Sequence, residues 1–185
     1  MKRALVTGGC GFIGSNLSRE LVNKGWQVDI VDDMSNGHFE LVEDMNCRFL
    51  PGGGFVEMFE KQTASKNRKQ DEVLVIQDDF ASQSMISYIL QGNYDVVFHQ
   101  AAVPRVSYSV EFPGETTDIN IGKTVKLFKA CVDNVSRVVF ASSSSVYGGA
   151  EVLPTDESSK KNPKSPYAWQ KSAIEDYAKL SFDLY

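Results

Sequence analysis

Cysteine is scarce in this chain, whose 185 residues contain only Cys10, Cys47 and Cys131. An odd number of widely spaced cysteines fits neither a disulfide framework nor the ligand spacing of a zinc site. Disulfides are typical of secreted domains, so this pattern favours a reducing compartment. We therefore predict a cytoplasmic protein with no metal site.

Positive charge and long apolar runs are lacking as well. Lys and Arg number 19 against 24 Asp and Glu, and the net charge of -5 leaves no basic footprint for a nucleic-acid partner. The first apolar run ends at Thr7-Gly8, too early for a signal peptide, and no later run is long enough to cross a membrane. We expect neither nucleic acid nor a membrane among the partners.

The sequence does contain a regular alternation of short apolar runs with helical patterns, which predicts βαβ units and a parallel sheet. The predicted strands are Ala4–Val6, a run ending near Val31, Val73–Ile76, Asp95–His99 and Arg137–Ser142. The predicted helices between them are Phe12–Gly25, Ser82–Gln91 and Glu115–Asn134. This pattern indicates one α/β domain over residues 1–185.

One segment interrupts the alternation. Residues 51–72 separate the second and third predicted strands and contain the triple glycine Gly52–Gly54. A phosphate loop would need a strand before it, a helix after it and a nearby acidic partner, and these are missing. We interpret residues 51–72 as an insertion with a flexible turn and a short charged helix.

A glycine-rich loop, "TGGCGFIG", joins the first predicted strand to the first predicted helix. It can be read with glycines at Gly9, Gly11 and Gly14, or at Gly8, Gly11 and Gly14. Glycines here permit a sharp turn, a close approach to a pyrophosphate and tight packing of the helix on the sheet. The helix N-terminus then offers unpaired N–H groups to phosphates. The alternative is a structural turn between strand and helix.

Acidic residues end the second predicted strand. The carboxylate of Asp32 can accept hydrogen bonds from both ribose hydroxyls of NAD and would repel the extra phosphate of NADP. Asp33 adds negative charge, and Lys2 and Arg3 are not placed to compensate it. The cofactor predicted from these residues is NAD, unless Asp32 is simply a surface residue.

A tyrosine and a lysine follow a helix start signal near residue 165. Ser165 is predicted to cap this helix and Pro166 to be its first residue. Tyr167 and Lys171 are four residues apart and therefore lie on one helix face. A phenol has an ordinary pKa near 10, and a neighbouring ammonium favours the phenolate. The pair is either a proton-transfer device or two surface side chains, just as "SSSSVYG" is either a catalytic or a polar loop.

Four motifs in one order, "TGGCGFIG", "DVVFHQAA", "FASSSSVYGG" and "SPYAWQK", span almost the whole chain. In this order they resemble the extended short-chain dehydrogenase/reductase family, and within it the NAD-dependent nucleotide-sugar 4-epimerases. The resemblance implies a Rossmann-type doubly wound parallel sheet with helices on both faces. It also implies that Tyr167 is the catalytic base, that Lys171 is its electrostatic partner and holds the nicotinamide ribose, and that Ser143 hydrogen-bonds the reacting sugar oxygen.

The resemblance further implies a set of cofactor contacts. Asp79 and Phe80 match the pair that contacts adenine, and Asn120 matches a family asparagine, although Lys123 stands where a glycine is expected. His99 is interpreted as a structural hydrogen-bonding residue. The complete predicted cofactor set is Gly8, Gly11, Phe12, Ile13, Gly14, Asp32, Asp33, Ser35, Asn36, Asp79, Phe80, Gln100, Ala101, Ala102, Asn120, Tyr167 and Lys171.

The reaction can be narrowed by two residues. Sugar dehydratases of this family carry an acidic pair, or a glutamate, where this chain has Ser144 and Ser145, so elimination of water is disfavoured. Epimerisation of a UDP-hexose or UDP-hexuronate at C4 through a 4-keto intermediate is the predicted activity, with Ser107 and Tyr108 as sugar contacts. A reductase, a dehydratase and a non-catalytic NAD-binding module are the alternatives.

Two expectations concern the protein beyond this site. Family members continue past the position matching Tyr185 with a C-terminal portion that contacts the nucleotide of the substrate, and we expect that portion to be absent here. Ala168, Trp169 and Ile174 flank the catalytic helix and favour a homodimer, although a buried helix explains the same residues.

Overall fold

A computed structural model describes residues 1–51, 68–69, 71–149 and 153–185. Most of the predicted insertion, including its triple glycine, lies outside these residues. The strands are β1 (Arg3–Thr7), β2 (Gln27–Asp32), β3 (Cys47–Leu50), β4 (Val73–Gln77), β5 (Val96–His99) and β6 (Arg137–Phe140). The helices are α1 (Phe12–Asn23), α2 (Gln83–Leu90), α3 (Val106–Glu111), α4 (Pro113–Thr117), α5 (Thr124–Cys131) and α6 (Pro166–Leu184). A π-helical turn covers Asp118–Lys123, and 3₁₀ turns cover Phe39–Leu41 and Ser144–Tyr147.

The six strands form one parallel sheet in the order β3-β4-β2-β1-β5-β6. The chain places β2, β3 and β4 on one side of β1 and then crosses to β5 and β6 on the other, so the switch point lies between β1 and β5. Open parallel sheets bind ligands at the carboxyl ends of the strands beside such a point. The predicted doubly wound, Rossmann-type sheet is confirmed.

The central strands are buried because a parallel sheet is covered on both faces, which is why they read as continuous apolar runs. Ala4, Leu5 and Val6 of β1 are fully buried, as are Ile30 of β2 and Val75 of β4. The glycine stop after α1 is also as predicted. Lys24 caps α1 and Gly25 follows with a φ of 76°.

Several predicted elements differ from the structure, which also contains α3, a helix that the sequence did not predict. β3 was missed, because this edge strand is short and only half-buried. The single helix expected over Glu115–Asn134 is instead α4, the π-helical turn and α5, which ends at Cys131. β6 ends at Phe140, two residues before the predicted end.

The chain divides into two compact units. Unit 1 comprises Met1–Ala101 and Ala130–Phe140 and contains the whole sheet. Unit 2 comprises Ala102–Lys129 and Ala141–Tyr185. In the described part of the chain, no helix combines the length and the apolar character that a membrane span requires.

Candidate functional site

The glycine loop of unit 1 connects the end of β1 at Thr7 to the start of α1 at Phe12, as predicted. Gly11 is the N-cap in extended conformation, and no side chain among the described residues caps this helix end. The first turn of α1 also carries no acidic residue. Its N–H groups and partial positive charge are therefore available to an anionic group.

Three glycines of this loop have no room for a side chain, and a Cβ on Gly9 would lie 2.6 Å from Cγ2 of Ile30. A Cβ on Gly8, whose φ is +66°, would lie 2.7 Å from the amide nitrogen of Ala101. A Cβ on Gly14 would lie 2.2 Å from the carbonyl oxygen of Gly8 and 2.7 Å from Cα of Gly9. The structure thus requires glycine at both ends of the Gly8-Gly11-Gly14 series. Phe12 and Ile13 between them are exposed.

Asp32, at the end of β2, is buried and points at the glycine loop. One carboxylate oxygen accepts a hydrogen bond from the amide of Cys10 at 3.0 Å and the other from the amide of Met34 at 2.9 Å. Burial raises the pKa of this carboxyl, while the two backbone hydrogen bonds oppose the rise. The alternative of a surface aspartate is excluded, since its exposed fraction is 8%.

The turn after β2 holds the other acidic and polar residues of the predicted set. Asp33, Ser35 and Asn36 are exposed, and the Asp33 carboxylate accepts from the amide of Ser35 at 2.9 Å. Gly37 was missed by the sequence reasoning. A Cβ there would lie 2.6 Å from the Asp32 carboxylate, so this turn closes directly over Asp32.

The carboxyl ends of β1 and β5 are joined by side-chain hydrogen bonds. The Thr7 hydroxyl lies 2.7 Å from Nδ1 of His99 and accepts from the amide of Ala101 at 3.2 Å. The His99 ring contacts Phe80, with ring centroids 4.9 Å apart. This confirms His99 as a structural residue. The half-buried Gln100 continues the same segment, its amide donating to the carbonyl of Thr7 at 3.1 Å.

Asp79 closes the turn that follows β4. Its carboxylate accepts from the amide of Ala81 at 2.8 Å, and Phe80 beside it is buried. The pair predicted to contact adenine therefore lies past the carboxyl end of β4, in unit 1.

Asn120 of unit 2 has its side-chain amide fully engaged. Its oxygen accepts from the amide of Val103 at 2.8 Å, and its nitrogen donates to the carbonyl of Val103 at 3.2 Å and to Oε1 of Gln170 at 2.8 Å. The sequence predicted a cofactor contact for Asn120. In the structure this side chain fixes the backbone that follows the half-buried Ala102, and the cofactor contact stays a prediction.

The start of α6 is as predicted. The Ser165 hydroxyl accepts from the amide of Ala168 at 3.1 Å, and Pro166 is the first helical residue. The next amide, that of Tyr167, donates to the hydroxyl of the fully buried Ser109 at 3.1 Å. The sequence reasoning missed Ser109, which satisfies a backbone donor that every helix start leaves unpaired.

Ser143 and Tyr167 contact each other, and Ser145 orients the serine. The Ser143 hydroxyl oxygen accepts from the Ser145 amide at 3.2 Å and from the Ser145 hydroxyl at 2.8 Å. With both lone pairs engaged, the proton of Ser143 is left to donate. A hydrogen bond with Ser143 lowers the pKa of the Tyr167 phenol, but burial raises it by more.

Lys171 lies one turn further along the same face and is buried. Its Nζ donates to the carbonyl of Ala141 at 2.8 Å and lies 5.9 Å from the centroid of the Tyr167 ring. Burial lowers the pKa of this ammonium to about 8. The sequence led us to expect a lowered pKa for Tyr167. Here its pKa is raised, because desolvation outweighs the favourable contacts.

Lys171→Met is expected to raise the free energy of unfolding at pH 7 by about 1 to 2 kcal/mol, because a desolvated ammonium is replaced by an apolar chain. The folded-state pKa of about 8 is below the ordinary 10.5, so between these values the unfolded chain binds more protons. Wild-type stability therefore rises with pH in that window, and the advantage of Lys171→Met shrinks. Urea unfolding at pH 7 and pH 10 measures both effects. The exposed Lys179→Met on the same helix is the control, and a loss of stability in Lys171→Met would contradict the argument.

The predicted sugar contacts and the residues predicted to flank a dimer interface differ in exposure. Ser107 is exposed, and the Tyr108 hydroxyl donates to the Glu115 carboxylate at 3.0 Å. Trp169 is half-exposed, whereas Ala168 and Ile174 are buried within the chain.

Burial favours the protonated form of the three thiols. Burial raises the pKa of Cys10 and of Cys131 to about 12, and that of Cys47 to about 11. The described residues bring together no group of three His, Cys, Asp or Glu that could hold a metal ion.

Known proteins are similar to this chain in both sequence and fold. A UDP-glucose 4-epimerase of Mycolicibacterium smegmatis is 32% identical over 185 residues, which are 99% of this chain and 52% of that protein. The UDP-N-acetylglucosamine 4-epimerase from Methanobrevibacter ruminantium, in complex with UDP-N-acetylmuramic acid, is 33% identical with a TM-score of 0.76 over 96% of this chain and 49% of that one. The Thermus thermophilus UDP-glucose 4-epimerase complex with NAD is 30% identical with a TM-score of 0.76, over 99% of this chain and 51% of that one.

The chain spans about half the length of the curated relatives it matches. The family model for NAD dependent epimerases and dehydratases matches residues 4–185, which is nearly all of it. The chain therefore belongs to the NAD dependent epimerase/dehydratase family.

Proposed function

We propose that this protein is an NAD-dependent nucleotide-sugar epimerase that inverts C4 of a UDP-hexose or UDP-hexuronate through a transient 4-keto sugar. The observation that carries the proposal is the contact of Ser143 with Tyr167, with Lys171 on the next turn of the same buried helix face. The three similar proteins named above are all 4-epimerases of UDP-sugars.

The residues of unit 1 fit a dinucleotide. The cradle at Gly8 and Gly14 is one that a Cβ would fill, and it leads into a helix N-terminus without a capping side chain among the described residues. We propose that this loop holds the pyrophosphate and that Asp32 accepts from the adenosine ribose, since each of its oxygens has a second lone pair to offer. The cofactor assigned on this basis is NAD, because the Asp32 carboxylate opposes a 2′-phosphate.

Further residues are proposed to contact other parts of the cofactor. Asp79 and Phe80 are proposed to border the adenine, and Gln100, Ala101 and Ala102 the phosphates and the nicotinamide side. The turn that carries Asp33, Ser35 and Asn36 is proposed to border the ribose. For Asn120 we propose an indirect role, through the Val103 backbone that its side chain holds.

The catalytic roles follow from the hydrogen bonds. Tyr167 is the proposed base. It takes the proton of the sugar 4-hydroxyl and returns it after the 4-keto sugar has rotated to present its opposite face. When substrate binds, Ser143 is proposed to turn its single proton from the Tyr167 oxygen to the reacting sugar oxygen, since both of its lone pairs are engaged by Ser145. Lys171 holds the nicotinamide ribose and supplies positive charge beside the phenol. Bound NAD supplies a reversible hydride acceptor that ends the cycle unchanged.

Elimination of water is disfavoured by the same segment. It would require an acid and a base in addition to Tyr167, and the adjacent positions hold Ser144 and Ser145, whose hydroxyls do not exchange protons readily at neutral pH. We also propose a cytoplasmic location and a homodimer. The dimer now rests on the exposed Trp169 alone, because Ala168 and Ile174 are buried within the chain. Light scattering on the purified chain measures its oligomeric state.

The test combines cofactor binding with turnover. We expect the chain to bind NAD more tightly than NADP in calorimetry, and to interconvert UDP-glucose with UDP-galactose or the corresponding UDP-uronates in a chromatographic assay. Tyr167→Phe is expected to reduce turnover by about 10² to 10⁴, the usual contribution of a positioned base. The same variant should leave the affinity for NAD within a few-fold, since it keeps the ring.

The other possible results of this assay would each indicate a different activity. Net consumption of reduced cofactor would indicate a reductase, and loss of water from the sugar a dehydratase. Binding of NAD without turnover on any UDP-sugar would favour a non-catalytic module. A chain that binds no dinucleotide would overturn the proposal.

A further inference from the structure

Gln170 lies between Tyr167 and Lys171 in the sequence of α6 and is fully buried. Its side-chain oxygen accepts from the side-chain nitrogen of Asn120 at 2.8 Å. Its nitrogen donates to the hydroxyls of Thr116 at 3.0 Å and Thr117 at 3.1 Å. Every donor and acceptor of this amide is therefore directed at α4 or at the adjoining π-helical turn.

The orientation of the two side-chain amides, those of Asn120 and Gln170, is determined by the backbone of Val103. The amide of Val103 needs an acceptor, so it orients the oxygen of Asn120 toward itself. The nitrogen of Asn120 then faces Gln170 and requires its oxygen. At the other end, the Thr116 hydroxyl donates to the carbonyl of Phe112 at 3.0 Å and so offers Gln170 only a lone pair. A flipped Gln170 would put donor against donor and acceptor against acceptor, so one arrangement satisfies the whole network.

This network is the buried part of the contacts that hold α6. The bond from the Tyr167 amide to Ser109 fixes the beginning of the helix, and further along Glu175 is bonded to Ser142 and Asp176 to Lys161. Gln170 is three residues after Tyr167, almost one turn away, and its bonds oppose rotation of the helix about its axis. Rotation would move the Tyr167 hydroxyl relative to Ser143 and withdraw Lys171 from the carbonyl of Ala141.

We propose that Gln170 is a positioning residue, which through Asn120, Thr116 and Thr117 sets the rotation of α6 and so holds Tyr167 at Ser143 and Lys171 at the Ala141 carbonyl. The roles of Tyr167 and Lys171 in this statement rest on the proposed function, but the positioning itself does not. A polar side chain in mid-helix would ordinarily face solvent. Here it is buried and fully paired, which ties the catalytic helix to the backbone at Val103.

The experiment follows the titration of Lys171 in the folded chain by NMR of labelled lysine, with Lys171→Arg to assign the signal. In the wild type Lys171 is expected to titrate near its lowered pKa of about 8. In Gln170→Met we expect a pKa at least about one unit higher, because a rotated helix exposes the ammonium to water. Gln170→Glu, of the same shape, keeps the bond from Asn120 but adds a carboxylate next to Lys171, so it should also raise this pKa, here by charge as well as by any rotation.

The control is Leu127→Ala, a cavity in the buried part of α5 that lowers the stability of unit 2 and removes no hydrogen bond of the network. This variant should lower the unfolding midpoint and leave the pKa of Lys171 within a few tenths of a pH unit of the wild-type value. An unchanged Lys171 titration in Gln170→Met would overturn the proposal, and so would equal shifts in Leu127→Ala. If the wild type turns over UDP-sugars, Gln170→Met should lower kcat more than it changes KM. If it does not, the proposed function fails while the titration still decides the role of Gln170.

Discussion

Gly14→Ala is expected to weaken the binding of NAD by about two orders of magnitude, a loss typical of displacing binding groups by an ångström. The added methyl would lie 2.2 Å from the carbonyl oxygen of Gly8 and 2.7 Å from Cα of Gly9. Both are backbone atoms, so they cannot rotate away as a flexible side chain would. The start of α1 and the loop must separate, and the N–H groups proposed to hold the pyrophosphate then move. Calorimetric titration of NAD into wild type and variant measures the effect.

Gly114→Ala is the matched control for this experiment. It is the same substitution, and a Cβ on Gly114, the second residue of α4, meets no described atom within 4 Å. Alanine is the better helix former by about 0.5 to 1 kcal/mol, so this variant should be at least as stable as the wild type. Its affinity for NAD should be unchanged. An unaltered NAD affinity in Gly14→Ala would show that the loop does not carry the pyrophosphate.

The elements that the sequence predicted correctly are those whose structure is determined by neighbouring residues. β1 and β4 read as uninterrupted apolar runs because both faces of a parallel sheet are covered. Gly25 after α1 and the Ser165-Pro166 pair before α6 are signals that act within one turn of the helix. β3 gave no such signal, since it is an edge strand of four residues with an arginine inside it and one exposed phenylalanine.

The candidate site was predicted by residue type better than by environment. Tyr167, Lys171 and Ser143 do meet within unit 2, and Asp32 does end β2 beside the glycine loop. The burial that raises the pKa of Tyr167 could not be predicted, because it depends on the packing of the whole helix.

Long-range partners explain the other misses. Gln170 in a helical pattern looks like a solvent-facing residue until its partners, more than fifty residues earlier in the chain, are known. Asn120 could be matched to a family position, but not to the backbone of Val103 that occupies its side chain. Ser109 likewise has no sequence signal, because the helix end that it caps begins 58 residues later.

A buried ion pair connects the described end of the insertion to the sheet. Arg68 and Asp29 of β2 are paired, with side chains 2% and 1% exposed. Arg68 also donates from Nε and Nη2 to the carbonyl of Glu72, at 2.9 Å and 2.7 Å. The second oxygen of Asp29 accepts from the Tyr94 hydroxyl at 2.8 Å, and Arg3 lies 3.6 Å from it. The guanidinium thus balances a carboxylate from which water is almost excluded.

Arg68→Met should therefore lower the free energy of unfolding by up to about 3 to 5 kcal/mol, the usual cost of breaking a buried ion pair, with Arg3 at 3.6 Å left to offset part of the charge of Asp29. Methionine keeps the apolar stem but supplies neither the charge nor the bonds to Glu72. The control is Arg19→Met, in which the same substitution removes an arginine paired with Asp44 at 2.8 Å, with side chains 35% and 58% exposed. An exposed pair contributes little to stability, so this variant should be close to wild type. Urea unfolding of both variants at one pH compares the two costs, and equal losses would mean that burial does not give the Arg68–Asp29 pair its strength.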